Sequence, residues 1–452
     1  MSAVLALAPR LRHAGGRDQR LTTALAVAAF AVTTALTLSV LGALTAFQDR
    51  ADHPANALQD DVGDTYVILA WTAVVLLVVP LITLGGAAAR LGVARRDARL
   101  ATLRLLGVTP REVVALTVLE TAWQGLLGAV AGAVGYAVLQ PLWTRVPFQG
   151  DHLGAREMWV GRPVLLVTVL VVPLFAAGSG AVSLRRVVVS PLGVARRQTP
   201  RGLRWVRLLV ALVGVGVFMV VSAAMGSFGT AAIAFLIGSL AVAFATMNAV
   251  GPWTLGLLGR LQLRRATTPA AMLAARRLLD DPRGAWRVVG GLGLAGFVAG
   301  ALAVVPVLTT ADAGTDAHTQ VLVDDLMTGA MLTLLLTFLL AATSAGIMQA
   351  AGVLDRRREY ALQHLAGVPV ELLDAVRRRE VLGPMLFVAV GSAVTALVML
   401  APLFGMAAVR SPGGLLLLVG CLVGGSALVL GATETSRPLL RSVLAETVVR
   451  PD

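Results

Sequence analysis

The sequence predicts an all-α integral membrane protein of about ten transmembrane helices. The first observation behind this is composition. Hydrophobic residues fill 57% of the 452 positions and charged residues only 14%, with a mean hydropathy of +0.81; soluble domains carry roughly 25% charged residues. The second is clustering: the charges leave long uncharged runs between them. The third is sign, because the basic residues collect in every other connecting segment.

The uncharged runs are Leu21–Gln48, Thr65–Ala89, Thr121–Thr144, Pro163–Leu184, Leu208–Gly259, Val288–Ala311, Leu326–Leu354, Val381–Val409 and Ser411–Thr433. A helix needs about 20 apolar residues to cross the hydrocarbon core, so eight runs make one crossing each. The run from Leu208 to Gly259, 52 residues long, takes two, with a hairpin near Ser222–Thr230. Pro80, Pro173 and Pro384 fall inside spans, where proline can kink a helix.

Charge placement tests the count. Six segments (the N-terminus to Arg20, Arg90–Arg111, Arg185–Arg207, Arg260–Arg287, Arg356–Arg379, and Arg437 onward) hold 33 of the 38 basic residues. The alternating segments hold only Arg50, Arg145, Arg156, Arg162 and Arg410, beside eleven Asp and Glu. Basic loops stay cytoplasmic, which places both termini in the cytoplasm. A single crossing over 208–259 would put seven arginines on the wrong side.

All basic residues are Arg and none is Lys, so a nucleotide-binding P-loop, which needs its Lys, is excluded. The pI near 11.4 reflects arginines flanking spans; their partners are anionic lipid headgroups, and nucleic acid is not expected. Cys421 is the only cysteine, so no intrachain disulfide forms. The N-terminus lacks the apolar core and cleavage site of a signal peptide, so the first span is expected to stay as an anchor.

The chain repeats itself. At a fixed offset of 260, Val93/Val353, Arg96/Arg356, Ala101/Ala361, Leu105/Leu365, Gly107/Gly367, Val108/Val368, Ala115/Ala375 and Glu120/Glu380 coincide. The surroundings repeat too: apolar span, basic helix, Gly-Val turn, helix, acidic residue, apolar span. The layout is therefore 4+2+4. It comprises a cytoplasmic amphipathic segment (1–20), a first four-span repeat (21–190), and a linker with a two-span spacer (191–259). A second cytoplasmic amphipathic segment (260–287), a second four-span repeat (288–445) and a cytoplasmic tail (446–452) follow. Six spans separate equivalent positions, so the repeats are parallel, related by an axis along the membrane normal. The external loops Asp49–Asp64, Arg145–Arg162 and Asp312–Asp325 are too short to bury a core, so no large extracellular domain is expected.

Candidate functional residues follow from this layout. Arg95, Arg96, Arg99 and Arg104 recur at helical spacing opposite leucines, and Gly107 and Gly367 sit where a turn would need positive φ. An amphipathic helix ending in such a turn can dock a soluble partner and pass its motion to the next span; one copy alone would read as a topology anchor. Glu120 and Glu380 fall a turn or two into spans three and nine. There the readings are a headgroup-level carboxylate paired with Arg111 or with Arg377–Arg379, or a functional intramembrane acid. Gly128/Gly132 and Gly296/Gly300 are G-x-x-x-G pairs that permit close helix packing. Trp143, Phe148 and Trp159 read as interfacial anchors. His53, His152 and His318 lie in three different loops, each near an Asp, and would have to converge to bind metal; no metal site is expected.

The stretch RLATLRLLGVTPREVVALTVLETAWQGLLGAVAG resembles the core of the FtsX-like permeases, the membrane subunits of mechanotransmission-type ABC transporters. Arg104, Gly107, Glu120, Gly125, Gly128 and Gly132 match in the first copy, and Arg358, Glu359, Gly367 and Glu380 in the second. Arg99 and His364 depart from the pattern, in opposite halves. The resemblance covers roughly residues 65–190 and 326–445. It implies a bacterial plasma-membrane permease with a separate cytoplasmic ABC ATPase, two copies per permease, docked at Arg95, Arg96, Arg99, Arg104 and Gly107 and at Arg356, Arg358, Glu359, His364 and Gly367. ATP and Mg would be held by that partner, and this chain would carry no cofactor and no catalytic residue. The four-two-four layout resembles the ten-span bacitracin-resistance type, minus its large extracellular domain between spans seven and eight, a place an accessory membrane or extracellular protein could take. The expected function is export or membrane extraction of an amphipathic antibiotic, peptide or lipid. Cargo-free signalling and ion-coupled secondary transport are the alternatives.

Overall fold

Lipid offers no hydrogen bonds, so a spanning backbone must satisfy itself, and helices do this within one segment. The structure, a computed structural model, describes residues 17–89, 109–188, 206–224, 232–304, 317–404, 412–434 and 437. It is an all-α membrane protein. The helices are α1 (Arg17–Asp52), α2 (Ala57–Ala89), α3 (Pro110–Trp143), α4 (Gly161–Val188), α5 (Val206–Ala223), α6 (Ala232–Arg264), α7 (Pro269–Asp280), α8 (Pro282–Val289), α9 (Gly291–Leu302), α10 (Ala317–Asp355), α11 (Arg357–Leu365), α12 (Val370–Phe404) and α13 (Pro412–Glu434). A two-residue hairpin, β1 (Pro147–Phe148) and β2 (Asp151–His152), links α3 to α4.

Eight of the described helices are long and apolar enough to cross a membrane. The pair α8–α9, bent by 47° at Gly290, adds a ninth. The tenth run holds α5, whose apolar part is shorter than these: its 18 residues span about 27 Å at 1.5 Å per residue, just under the hydrocarbon thickness. The expected hairpin near Ser222–Thr230 falls mostly outside the described residues; α5 ends at Ala223 and α6 begins at Ala232. The helix runs on through Pro80 and Pro173. Among the described helix pairs apolar enough to form one span together, the one bent by more than 40° breaks at Gly290.

Close packing follows the small residues. In the first half α1 packs on α2 and α3, and α3 on α4. A Cβ on Gly132 would sit 2.6 Å from the carbonyl oxygen of Ala31, and one on Gly128 would meet Phe30 and Val27. In the second half α9 packs on α12 in the same way, but here the glycines come from the other partner. A Cβ on Gly300 would lie 2.6 Å from the Ala393 carbonyl oxygen, and one on Gly296 would strike Ala389 and Ser392. The last helices differ between halves: α4 packs chiefly on α3, whereas α13 packs chiefly on α10. The halves meet where α10 touches α1 and α2.

Candidate functional site

Two sites stand at opposite ends of the bundle. At the arginine-rich end, α11 follows α10 with only Arg356 between them and stops in a Schellman turn. Gly367 N–H donates to the His364 carbonyl (3.0 Å) and Val368 N–H to that of Gln363 (3.0 Å), while Gly367 takes φ +86°. This pair of bonds closes the last carbonyls of a helix when the residue after the cap turns left-handed. Val368 then packs with Val353, Tyr360 and Leu373. The first-copy candidates Arg95, Arg96, Arg99, Arg104 and Gly107 lie outside the described residues.

Helix α7 braces α11. Thr268 caps it, its Oγ1 accepting from Ala271 N–H (3.3 Å), and Pro269 fits the first helical position, where no N–H is needed. One face, Ala270 and Ala274, packs on Val376 of α12. From α7, the mostly buried Arg277 reaches Glu359 (3.3 Å) and Glu380 (3.6 Å), donates to the Tyr360 hydroxyl (3.2 Å), and sits 5.2 Å from that ring's centre. Burial works against its charge, but Tyr360, Glu380 and Glu359 outweigh it and hold the arginine pKa above its usual value. Glu380 also pairs with Arg356 (3.6 Å).

These partners differ from the adjacent arginines expected for Glu380. Successive residues point about 100° apart on a helix, so Arg377 turns to α13, where it donates to the Thr433 carbonyl (3.2 Å) and pairs with Glu434 (3.6 Å). Arg378 also pairs with Glu434 (2.9 Å). Arg379 donates to Thr268 (2.7 Å). Arg358 and His364 lie in α11, with Leu362 and Leu365 exposed. Glu120 is half-buried in α3.

At the opposite, acidic end lies a cavity of about 340 Å³ between α1, α2, α9 and α10. Phe47, Leu77, Trp143, Phe148, Phe297 and Leu336 form much of its wall. The β1–β2 hairpin closes it. Gln149 (φ 57°) and Gly150 (φ 76°) are both left-handed, as a two-residue type I′ hairpin requires. Arg50, at the end of α1, is 6% exposed. It donates to the carbonyls of Phe148 (3.0 Å) and His152 (2.9 Å) and to Glu157 (3.0 Å). Trp143 and Phe148 are therefore buried cavity walls rather than interfacial anchors: Arg50 holds the hairpin that carries Phe148, and at the end of α3 Trp143 Nε1 donates to Ser39 (3.1 Å). Trp159 stays exposed, stacked on Tyr136.

Two hydrogen bonds to one carboxylate oxygen tie the halves across this cavity. The Tyr66 hydroxyl of α2 donates to Asp325 of α10 (2.5 Å), and Gln149 N–H donates to the same carboxylate oxygen (2.6 Å). The 260-residue offset places Asp325 opposite Thr65, the neighbour of Tyr66. Sequence reasoning missed Arg50, Tyr66, Gln149 and Asp325 because it assigned Asp325 to a loop; α10 begins eight residues earlier. His53 pairs with Asp49 and His318 with Asp61, each at 3.5 Å. Among the described residues no three metal-ligating side chains come together.

Residues 71–189, from within α2 to the end of α4, match the profile of the FtsX-like permease C-terminal family. No curated protein matches the chain.

Proposed function

We propose, from the FtsX-like permease domain that residues 71–189 form, that this multi-pass membrane protein couples a separate ATPase to export or extraction of an amphipathic compound. FtsX-like permeases are membrane components of ABC transporters that partner with cytoplasmic ABC ATPases. The observation that carries the reading is α10. This unbroken helix of 39 residues is about 58 Å long at 1.5 Å per residue. It lines the cavity through Asp325 and Leu336 and ends one residue before α11.

In this reading the arginine-rich end is cytoplasmic. Two ATPase copies, holding ATP and Mg, dock on α11 and on its counterpart around Gly107. Closing on nucleotide, they push α11. Arg277, Glu359 and Glu380 tie that helix to α7 and α12, and α10 joins it through the single residue Arg356, so the push reaches the interface between the halves. The cavity then changes shape and releases its occupant toward the outer leaflet. The chain itself supplies packing and pairing rather than bond-making chemistry.

The test is affinity purification of the full chain from its native membranes. An ABC ATPase should co-elute, and the eluate should hydrolyse ATP; permease freed of that ATPase should not. Robust turnover by the permease alone, or its recovery from native membranes without any ATPase, would defeat the reading.

A further inference from the structure

The cavity between the halves is apolar on nearly every side. Its serine and threonine hydroxyls are already occupied by their own helices: Ser39 donates to Ala35 (2.9 Å), Thr72 to Ile68 (2.9 Å) and Thr333 to Gly329 (2.9 Å). Asp325 is different. One oxygen receives both Tyr66 and Gln149, and among the described residues nothing donates to the other and no cation pairs with the group. The nearby buried cation Arg50 is matched by Glu157 (2.9 Å). A carboxylate 9% exposed and without a counter-charge is costly, and a ligand that brings the opposite charge relieves that cost. An anionic head would meet repulsion in a setting where charges act more strongly than in water.

We propose that this cavity takes a cationic amphiphile, whose apolar body lies among Phe47, Leu77, Phe297 and Leu336 and whose ammonium or guanidinium head pairs with Asp325. The volume is at the small end of ligand pockets, which suits a single alkyl or aryl body. This deepens the export reading and rests on it for the claim that such a molecule is cargo.

The experiment is calorimetric titration of the full chain in nanodiscs, against empty nanodiscs, with three probes of one chain length: dodecyltrimethylammonium, dodecyl maltoside and dodecyl sulfate. The wild type should prefer the cation by roughly tenfold or more, the size expected of one charge-assisted contact. Asp325→Asn should lose that preference while still binding the maltoside. Asp325→Glu and Tyr66→Phe should keep it, since both retain the charge, and Ala301→Trp, which fills the cavity, should weaken every probe. Equal affinity for the three probes, a cationic preference surviving in Asp325→Asn, or unchanged binding in Ala301→Trp would overturn the proposal. A cavity indifferent to charge in a permease that still co-purifies with its ATPase sinks this inference alone. Charge-selective binding without an ATPase supports this site and sinks the export reading.

Discussion

Replacing Gly367 probes the turn on which coupling depends. A Cβ built there meets nothing within 4 Å, so no neighbour resists it. The cost lies in the backbone, because φ is +86° and an L side chain in the left-handed region costs about 1–2 kcal/mol. Asn tolerates that region best, Ala carries the ordinary penalty, and β-branched Val lies at or above the upper end. At stake are two hydrogen bonds, from Gly367 and Val368, each worth about 1 kcal/mol net, and the packing of Val368 beside Tyr360. A loss of one to two kcal/mol raises the open population roughly 5–30-fold. Hydrogen exchange over residues 357–368 in nanodiscs should therefore quicken in the order Asn, Ala, Val. ATPase stimulation should fall in the same order, with membrane insertion intact. If Gly367→Val exchanges and couples like the wild type, the turn does not transmit anything and the reasoning is wrong.

Gly300→Leu should overpack the α9–α12 contact against the Ala393 carbonyl and lower stability by about 1–3 kcal/mol. Gly178→Ala, with nothing within 4 Å, should leave the melting temperature nearly unchanged. Arg277→Met leaves Glu359 and Glu380 without their shared partner; with Glu359 half-exposed, about 1–3 kcal/mol should be lost, partly restored on adding Glu380→Gln. Thermal unfolding of the purified variants decides all of these. At the start of α3 the Thr109 hydroxyl (2.8 Å) and amide (3.0 Å) donate to Glu112 and hold its carboxyl below the usual range. A folded pKa below the unfolded one means this cap is fully present at neutral pH and is lost as pH falls through the depressed value. Amide exchange at the α3 N-terminus should quicken there in the wild type and stay flat in Glu112→Gln.

Much of the fold was legible because lipid imposes one rule on long segments: an uncharged run must be helical. The division of the 208–259 run into two helices, α5 and α6, was legible from its length and from the arginines on either side. Helix ends were not. Helices α2 and α10 overhang their apolar runs, beginning at Ala57 and Ala317, and the overhangs touch through His318 and Asp61. That overhang hid Asp325 among loop residues. The positive φ of Gly367 was readable because a glycine closing a helical pattern has few other uses. The partners of Glu380 were not, since Arg277 is 103 positions away in sequence and no local pattern predicts that α7 folds back onto α12. The same holds for the cavity walls: Phe148 is held by Arg50 and Trp143 by Ser39, each a contact made about a hundred residues along the chain.

The central claim is that ATPase action at the arginine-rich end moves the interface between the halves at the other end. Spin labels at the exposed positions Asp60 of α2 and Gln320 of α10, in a Cys421→Ala background, report that separation directly. With the co-purifying ATPase, the label-to-label distance should change on ATP and return after hydrolysis, and Gly367→Val should abolish the change while the labels still insert. An unchanged distance during sustained, permease-stimulated ATP turnover would contradict the account.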